Sequence, residues 1–142
     1  MIGTHFTLSG NFTFSRNRLV RYTVIDNGVP VTLDGNPIAG FPDILGNARI
    51  TYRLDAFMCN LSLKHVGSFY TDNYATTAAQ VDAYDVVNLG ILYDALPLIG
   101  GKFTLRLEVN NLTNELYFAN GEGAAFFPAA ERNYIVGLTA KF

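Results

Sequence analysis

The sequence has little charge and no tryptophan. Charged residues make up 15% of its 142 residues, whereas an ordinary soluble domain carries about 25%. A chain of this length can form a domain with a core, and so little charge means that a large apolar surface must be hidden from water. The formal net charge is -2, and no run of basic residues occurs. Because nucleic-acid binding depends on neutralising phosphates, the sequence argues against a nucleic-acid partner.

Two kinds of apolar segment are also missing. No stretch of about 18 apolar residues occurs, so we expect no membrane-spanning helix. The first residues, MIGTHFTLSG, do not combine a positive segment with an apolar one, so we expect any export signal to lie upstream of this sequence. The single cysteine, Cys59, cannot form an internal disulfide and gives no information about the redox compartment.

What the sequence does have is alternation of apolar and polar residues with a period of two, which is typical of a β-strand with one apolar face. The clearest example is segment 103–110, FTLRLEVN, in which the aromatic and aliphatic residues occupy every second position. No segment shows a sustained helical period. The alternation predicts an all-β chain with about six strands, near 4–15, 44–54, 57–70, 84–93, 102–112 and 132–142.

The predicted connections alternate between short and long. Asp55 and Ala56 form one tight turn, and a short connection through Asp94, Pro97, Gly100 and Gly101 forms another. The remaining connections are long and rich in turn residues such as Asn27-Gly28. An antiparallel meander with short turns at one end and long loops at the other is the plan of a transmembrane barrel. Strands of about ten residues, tilted near 45°, span about 23 Å, close to the apolar band of such a barrel.

The last two predicted strands resemble the C-terminal hairpin of TonB-dependent outer-membrane receptors. The resemblance covers RLEVNNLTNELYF at 106–118, FFPAAERNYIVGLTAKF at 126–142 and GNPIAGFPDILGNARITYRL at 35–54. The family fragments are an Asn-Leu-x-Asn segment followed by an aromatic residue, a Pro-x-x-x-Arg segment, and a final alternating strand ending in Phe. In this sequence those positions are Asn111, Leu112, Asn114, Tyr117, Pro128, Arg132 and Phe142.

The resemblance implies a transmembrane barrel of about 22 strands with an N-terminal plug. It implies import of a scarce ligand, such as an iron chelate, cobalamin or a sugar, across the outer membrane of a Gram-negative bacterium with energy relayed by TonB. The implied partners are outer-membrane lipid, the remaining barrel strands and plug, the barrel-assembly machinery, and TonB through the plug. The sequence shows no plug or TonB-contacting box, so we expect a truncated or split gene product, or a fragment of a longer chain, that is not stable as a barrel by itself.

Candidate site residues fall into three groups. The resemblance implies that the barrel-assembly machinery reads the aromatic and apolar residues of the last strand, Tyr134, Leu138 and Phe142. Aromatic residues of the outer loops are candidates for ligand contact, and these are Tyr74, Tyr117, Phe126 and Phe127. Charged residues on the polar phase of the strands are expected to face the lumen, where they contact the plug or the ligand path or form an ordinary polar wall; these are Arg49, Arg53, Lys64, Arg106 and Glu108.

The sequence gives no sign of catalysis, a metal site or a cofactor. The two histidines, His5 and His65, lie far apart, and no His/Cys/Asp cluster has the spacing of metal ligands. No phosphate-binding glycine loop or nucleophile elbow occurs. His65 falls on the apolar phase of the third predicted strand, near its outer end, where an amphipathic ring is tolerated.

Alternation alone leaves other functions open, because any sheet with one apolar face alternates. A second hypothesis is that the chain belongs to a different outer-membrane barrel, such as a porin or an adhesin. A third is a soluble lipocalin-like module that binds a small apolar ligand. That third class requires eight strands with apolar residues pointing inward, and the sequence predicts six strands with loops that are long at one end only.

Overall fold

The computed structural model describes residues 5–98 and 101–141. In this range the chain is built of β-strands, with one turn of 3-10 helix at Thr77–Ala79. No helix among the described residues has the length and apolar character needed to cross a membrane. The strands in chain order are β1 Phe6–Phe14, β2 Thr23–Asp26, β3 Val29–Thr32, β4 Ile44–Leu54, β5 Phe57–Val66, β6 Phe69–Tyr70, β7 Gln80–Val81, β8 Tyr84–Leu98, β9 Gly101–Asn110, β10 Phe118–Glu122, β11 Ala125–Pro128 and β12 Asn133–Lys141.

The long strands form one six-stranded sheet in the order β1-β4-β5-β8-β9-β12. Every neighbouring pair in this sheet is antiparallel, and each long strand pairs with the next long strand along the chain. The predicted all-β antiparallel meander is therefore confirmed. Within the described residues β1 and β12 are the two edges of this sheet.

The pairing register brings apolar residues side by side across the whole sheet. Because side chains alternate between the two faces of a strand, residues that are directly opposite each other share a face. A continuous row on one face consists of Leu8, Ile50, Leu61, Leu89, Val109 and Tyr134. We call this side the apolar face and the opposite side the polar face.

The apolar face is open to its surroundings. Leu8, Ile50, Leu61 and Tyr134 of the row are all exposed, although large apolar side chains in a soluble sheet of this kind would be covered by a second layer. A shift of one residue in any pair would move that strand's apolar set to the polar face. The observed register therefore keeps the residues of the apolar row together on one face.

Some strand ends differ from those predicted. β8 continues to Leu98, beyond the predicted end at residue 93, so Asp94 and Pro97 lie in the strand and not in a turn. The register between β8 and β9 shifts between Tyr93 and Leu96, which breaks the alternation and explains the early predicted end. Gly101 begins β9, and Gly100 lies outside the described residues. β5 ends at Val66, and the segment predicted to extend it to residue 70 contains the separate short strand β6.

Two of the predicted long loops contain hairpins that the sequence interpretation missed. β2 pairs with β3, and β10 pairs with β11. The β2–β3 turn is Asn27-Gly28, with φ of 48° and 81°, values typical of a tight type I′ hairpin turn. An Asn-Gly pair between β-prone residues is a strong hairpin signal, so this hairpin could have been predicted from the sequence.

The buried core lies at the end of the sheet where β5 stops and β8 starts. It consists of Val66, Phe69, Val81, Tyr84 and Val86. Val66 is directly opposite Tyr84 in the register, and Phe69 is opposite Val81 in the small β6–β7 ribbon. A single-layer sheet has nothing to bury its middle against, so the core forms where the loops fold back over the strand ends.

Candidate functional site

The polar face carries a groove bounded by β1, β4, β5 and β8. The register places Arg49 beside Ser9 on one side and Ser62 on the other. Lys64 lies one row further along, beside Asn47. The groove has a volume of ≈ 480 Å³, and its lining includes both cationic side chains and the amides of Asn11, Asn47 and Asn88 but no carboxylate.

Elsewhere on the polar face of the sheet the carboxylates Glu108 and Asp94 are paired with cations. Arg106 and Glu108 contact each other along β9, with Arg106 Nε donating to Glu108 Oε1 at 3.0 Å. Asp94, at the irregular end of β8, accepts from Lys102 Nζ at 3.1 Å and also from the Thr104 hydroxyl. Arg49 and Lys64 are exposed and have no salt-bridge partner among the described residues.

Arg53 differs from Arg49 in having a local contact. Its Nη2 atom lies 3.1 Å from the Met58 sulfur across the β4–β5 pair. The five charged residues predicted to face the lumen, Arg49, Arg53, Lys64, Arg106 and Glu108, all occupy polar-face positions in the register. Which molecule these residues contact stays a prediction.

The Asn-Leu-x-Asn segment after β9 organises the third long loop. Asn111 is buried and has a positive φ of 54°, which asparagine adopts more readily than most residues. Its side chain accepts from Glu115 N at 2.9 Å and donates to Glu115 O at 2.9 Å and to Ala130 O at 3.2 Å. The start and the end of this loop are therefore tied together by one amide.

Asn114 forms a second hydrogen bond between the two ends of the loop. It also has a positive φ, 55°, and its Oδ1 atom accepts from Arg132 N at 2.9 Å. The Arg132 guanidinium lies 3.5 Å from Leu112 O, at the limit of hydrogen bonding. Four of the residues that carry the family resemblance, Asn111, Leu112, Asn114 and Arg132, thus meet at the base of this loop.

The three outer loops are joined to one another through residues that the sequence interpretation did not single out. The buried Thr71 hydroxyl is bonded to Ala79 O and contacts Gly123 O, and Gly123 N donates to Thr71 O at 3.2 Å. Asn73 accepts from Ala39 N at 2.9 Å, and Asn36 Nδ2 donates to Asn73 O at 3.0 Å. These contacts join residues far apart in the chain, so no local sequence signal could have revealed them.

The four aromatic candidates for ligand contact divide into two kinds. Tyr117 stacks on Tyr84 with ring centroids 4.2 Å apart, and Phe126 packs against the same buried core. Phe127 and Tyr74 are 52% and 42% exposed. The packed pair Tyr117 and Phe126 stabilises the loops, whereas Phe127 and Tyr74 are exposed, and contact of any of the four with a ligand stays a prediction.

An ion pair fixes the first loop to the start of β4. Arg18 Nη2 lies 2.8 Å from Asp43 Oδ2, and Nη1 lies 3.2 Å from the other carboxylate oxygen. Such two-pronged contacts are specific for the planar guanidinium. The hydrogen bonds from Arg18 lower the pKa of Asp43, and the bonded Asp43 raises the pKa of Arg18.

Tyr134 and Leu138 of the last strand lie on the apolar face, as does His65 of β5. Tyr134 and Leu138 are 68% and 61% exposed there, and Phe142 lies outside the described residues. His65 Nδ1 is 2.9 Å from Asp85 Oδ1, its direct neighbour across β5 and β8. In the part of the chain that the structure describes, no group of three His, Cys, Asp or Glu residues could hold a metal ion.

A single-layer antiparallel sheet with an exposed apolar face, a groove on its polar face and long loops at one end defines a wall segment of an outer-membrane type of β-barrel. Residues 3–112 match the family described as TonB dependent receptor-like, beta-barrel, and the chain therefore belongs to that family. This match confirms the resemblance seen in the sequence. A comparison with curated proteins gives no match.

Solved structures of siderophore receptors share the fold. The chain is similar to the siderophore receptor PiuA from Acinetobacter baumannii, with a TM-score of 0.81 and 18% identity over 96% of this chain and 20% of that one. It is equally similar to BauA, the ferric preacinetobactin receptor of the same organism, with a TM-score of 0.81, 19% identity, and coverage of 99% and 20%. For Fiu, the ferric-catecholate import receptor of E. coli K12, the TM-score is 0.70 at 20% identity, with coverage of 96% and 19%. The chain thus spans about a fifth of the length of these receptors.

Proposed function

We propose that these strands form part of the barrel wall of a TonB-dependent receptor that takes up a ferric chelate across the outer membrane of a Gram-negative bacterium. The observation that carries the proposal is the continuous apolar row from Leu8 to Tyr134, in which four of the six side chains are exposed and which is backed by a polar face. Lipid is the partner that suits such a face, because a wall one layer thick can be apolar only toward the membrane and polar only toward the lumen.

The edges of the sheet, which are unpaired within residues 5–98 and 101–141, indicate further partners. In lipid each unsatisfied backbone group costs several kcal/mol, so β1 and β12 require neighbouring strands on their outer sides. We propose that the remaining barrel strands supply these neighbours and that a plug occupies the lumen and contacts TonB. We propose also that the barrel-assembly machinery inserts the protein, reading Tyr134, Leu138 and Phe142.

An iron chelate is the ligand class that the comparisons favour. The names of PiuA, BauA and Fiu describe siderophore, ferric preacinetobactin and ferric-catecholate receptors. By analogy we place a ferric chelate ahead of cobalamin and sugars for this protein. The exposed rings of Phe127 and Tyr74 at the loop end are the proposed contacts. We expect no enzymatic activity, because the named members of the group are receptors.

Iron uptake in cells tests the proposal. The gene is deleted from its bacterium, the protein is restored at its native length, and uptake of labelled iron is measured for a panel of ferric siderophores under iron limitation. We expect deletion to abolish uptake of at least one siderophore and restoration to recover it. The same uptake should disappear in a strain without TonB.

Cobalamin and a maltodextrin serve as the control ligands. If the deletion strain lost uptake of either of these and kept uptake of every siderophore, the iron assignment would be wrong while the receptor assignment stood. Passive entry that persists without TonB would instead indicate a porin. Recovery of the protein from a compartment other than the outer membrane would contradict both assignments.

A further inference from the structure

We propose that Arg49 and Lys64 form a carboxylate-binding site on the polar face of the sheet. The proposal rests on the proposed function only in taking the polar face to be the lumen side of the wall. It does not depend on which ligand is transported.

The first argument is that these two charges are uncompensated. On the polar face Glu108 contacts Arg106, and Asp94 is bonded to Lys102 at the far end of β8. Asp85, which is next to the residue opposite Lys64 on β8, lies on the apolar face beside His65. Arg49 and Lys64 have no acidic neighbour within salt-bridge distance in residues 5–98 and 101–141. Two cations held close together without a counter-charge repel each other, and a bound anion removes that repulsion.

The second argument is geometric. Arg49 is directly opposite Ser62, and Lys64 lies two residues further along β5, so the two residues are diagonal neighbours on one face. Diagonal neighbours in an antiparallel pair are about 7–8 Å apart at the backbone, which is within reach of long side chains. An ammonium and a guanidinium can therefore converge on the two oxygens of one carboxylate, or on two carboxylates of one molecule.

The third argument is the chemistry of the surrounding groove. Asn88 Oδ1 is occupied by Asn111 N at 2.9 Å, and Asn11 Oδ1 by the Asn47 amide at 3.0 Å. The amide nitrogens of Asn88 and Asn11 have no acceptor among the described residues and are therefore available as donors beside the two cations. A site made of positive charges and N–H donors, with no carboxylate in its lining, favours an anion.

A neighbouring groove of the same face shows the contrast. It is lined by Asn60, Arg106 and Glu108 among others, and its guanidinium is already paired with its carboxylate. That groove therefore has no unmatched charge to offer. The two grooves therefore differ in whether their cations already have a counter-charge.

Binding of succinate tests the site, because its two carboxylates match the two cations. The native-length protein is purified in detergent, and binding of succinate and of its uncharged analogue succinamide is measured by calorimetry at low salt. The variant Arg49→Gln/Lys64→Gln is compared with Arg16→Gln/Arg21→Gln, which removes the same charge from exposed positions of the first loop. We expect succinate to bind, succinamide not to bind, and the wall variant alone to weaken succinate binding about tenfold or more.

A second measurement identifies a carboxylate that comes from a polypeptide inside the barrel. In that case succinate does not bind the unaltered protein, and the thermal midpoint falls more in Arg49→Glu/Lys64→Glu than in Arg49→Gln/Lys64→Gln. Either result supports the site and names its source. Equal binding of succinate and succinamide, equal succinate binding by the wall variant, or no binding together with unchanged thermal midpoints would overturn the proposal. None of these outcomes depends on iron uptake, so they are distinguishable from failure of the proposed function.

Discussion

At the scale of single residues, polar side chains hold the loops in place through specific hydrogen bonds, in addition to the apolar packing of Tyr117 and Phe126. The Asn111 side chain is the clearest case, because one amide makes three hydrogen bonds to backbone groups at the two ends of its loop. A buried group left without its partner costs about 1–3 kcal/mol, which is more than the net gain from an ordinary hydrogen bond. The loop conformation therefore depends on this asparagine.

Replacing Asn111 with Ala should loosen the third loop. The change leaves Glu115 N and Ala130 O without their partners and places alanine at a positive φ, so we expect a local destabilisation of about 1–3 kcal/mol. The measurement is the rate at which a protease cuts residues 112–132 of the detergent-solubilised protein. The matched control is Thr113→Ala at an exposed position of the same segment. Equal cutting rates for the two variants would show that Asn111 does not anchor the loop.

The pair between Arg18 and Asp43 makes the first loop sensitive to acid. The pKa of Asp43 is lowered by its hydrogen bonds to Arg18, so its folded-state pKa lies below the unfolded value. The pair's contribution to stability is therefore complete above the ordinary carboxyl pKa of about 4 and is lost as the pH falls through the lowered pKa. The first loop should become mobile only in that acid range.

A spin label on the β2–β3 hairpin would detect this change. The label is attached at Val29→Cys, an exposed position, in a Cys59→Ser background. We expect its mobility to increase at low pH in this protein and to be high at every pH once Arg18→Gln is added. A pH profile that is the same with and without Arg18 would rule out the pair as the cause.

At the scale of the strand, adjacent residues lie on opposite faces of the sheet, and the two faces have different surroundings. Leu61 and Ser62 are adjacent in β5, yet the register places Leu61 in the apolar row and Ser62 beside Arg49 on the polar face. A cation on the lipid side of a barrel costs about 2–4 kcal/mol near the middle of the membrane, while one on the lumen side is tolerated. This contrast allows the direction of each face to be tested with two single substitutions.

Leu61→Arg should destabilise the protein by about 2–4 kcal/mol, and Ser62→Arg should have a much smaller effect. The measurement is unfolding by urea in lipid vesicles, where loss of sheet structure is followed by circular dichroism. Each variant introduces the same side chain, so the difference reports the surroundings and not the arginine itself. A larger effect from Ser62→Arg would mean that lipid lies on the side that we assign to the lumen.

The success of sequence reasoning at this scale has a physical basis. A strand with one face in lipid and one in water must alternate, so the pattern from Phe103 to Val109 directly reports strand and face. The alternation is lost where the register between β8 and β9 shifts, between Tyr93 and Leu96. The predicted strand therefore stops there, although β8 continues. The contacts of Asn111 and Thr71 depend on where distant loops meet, and local alternation carries no information about that.

At the scale of the whole molecule, the two ends of the sheet have different environments. The long loops at one end are joined by Thr71, Asn73 and Gly123 and cover the buried core. At the other end β4 and β5 are joined by a turn of two residues, Asp55 and Ala56. Assigning the loop end to the exterior and the turn end to the periplasm follows the plan of outer-membrane barrels, and it places the end of β12, at Lys141, at the periplasmic end.

That position suits an assembly signal, because β12 is an edge strand whose outer side is unpaired within the described residues. An assembly machinery that recognises strands by adding to an edge would read backbone groups together with alternate side chains. Tyr134 and Leu138 present such side chains on the apolar face. Deletion of Phe142 should therefore lower the amount of protein in the outer membrane several-fold, and Phe142→Tyr, which keeps an aromatic ring, should leave it nearly unchanged. The measurement is the protein level in outer-membrane fractions at equal synthesis, and equal levels for the deletion and Phe142→Tyr would refute a signal role for the terminal residue.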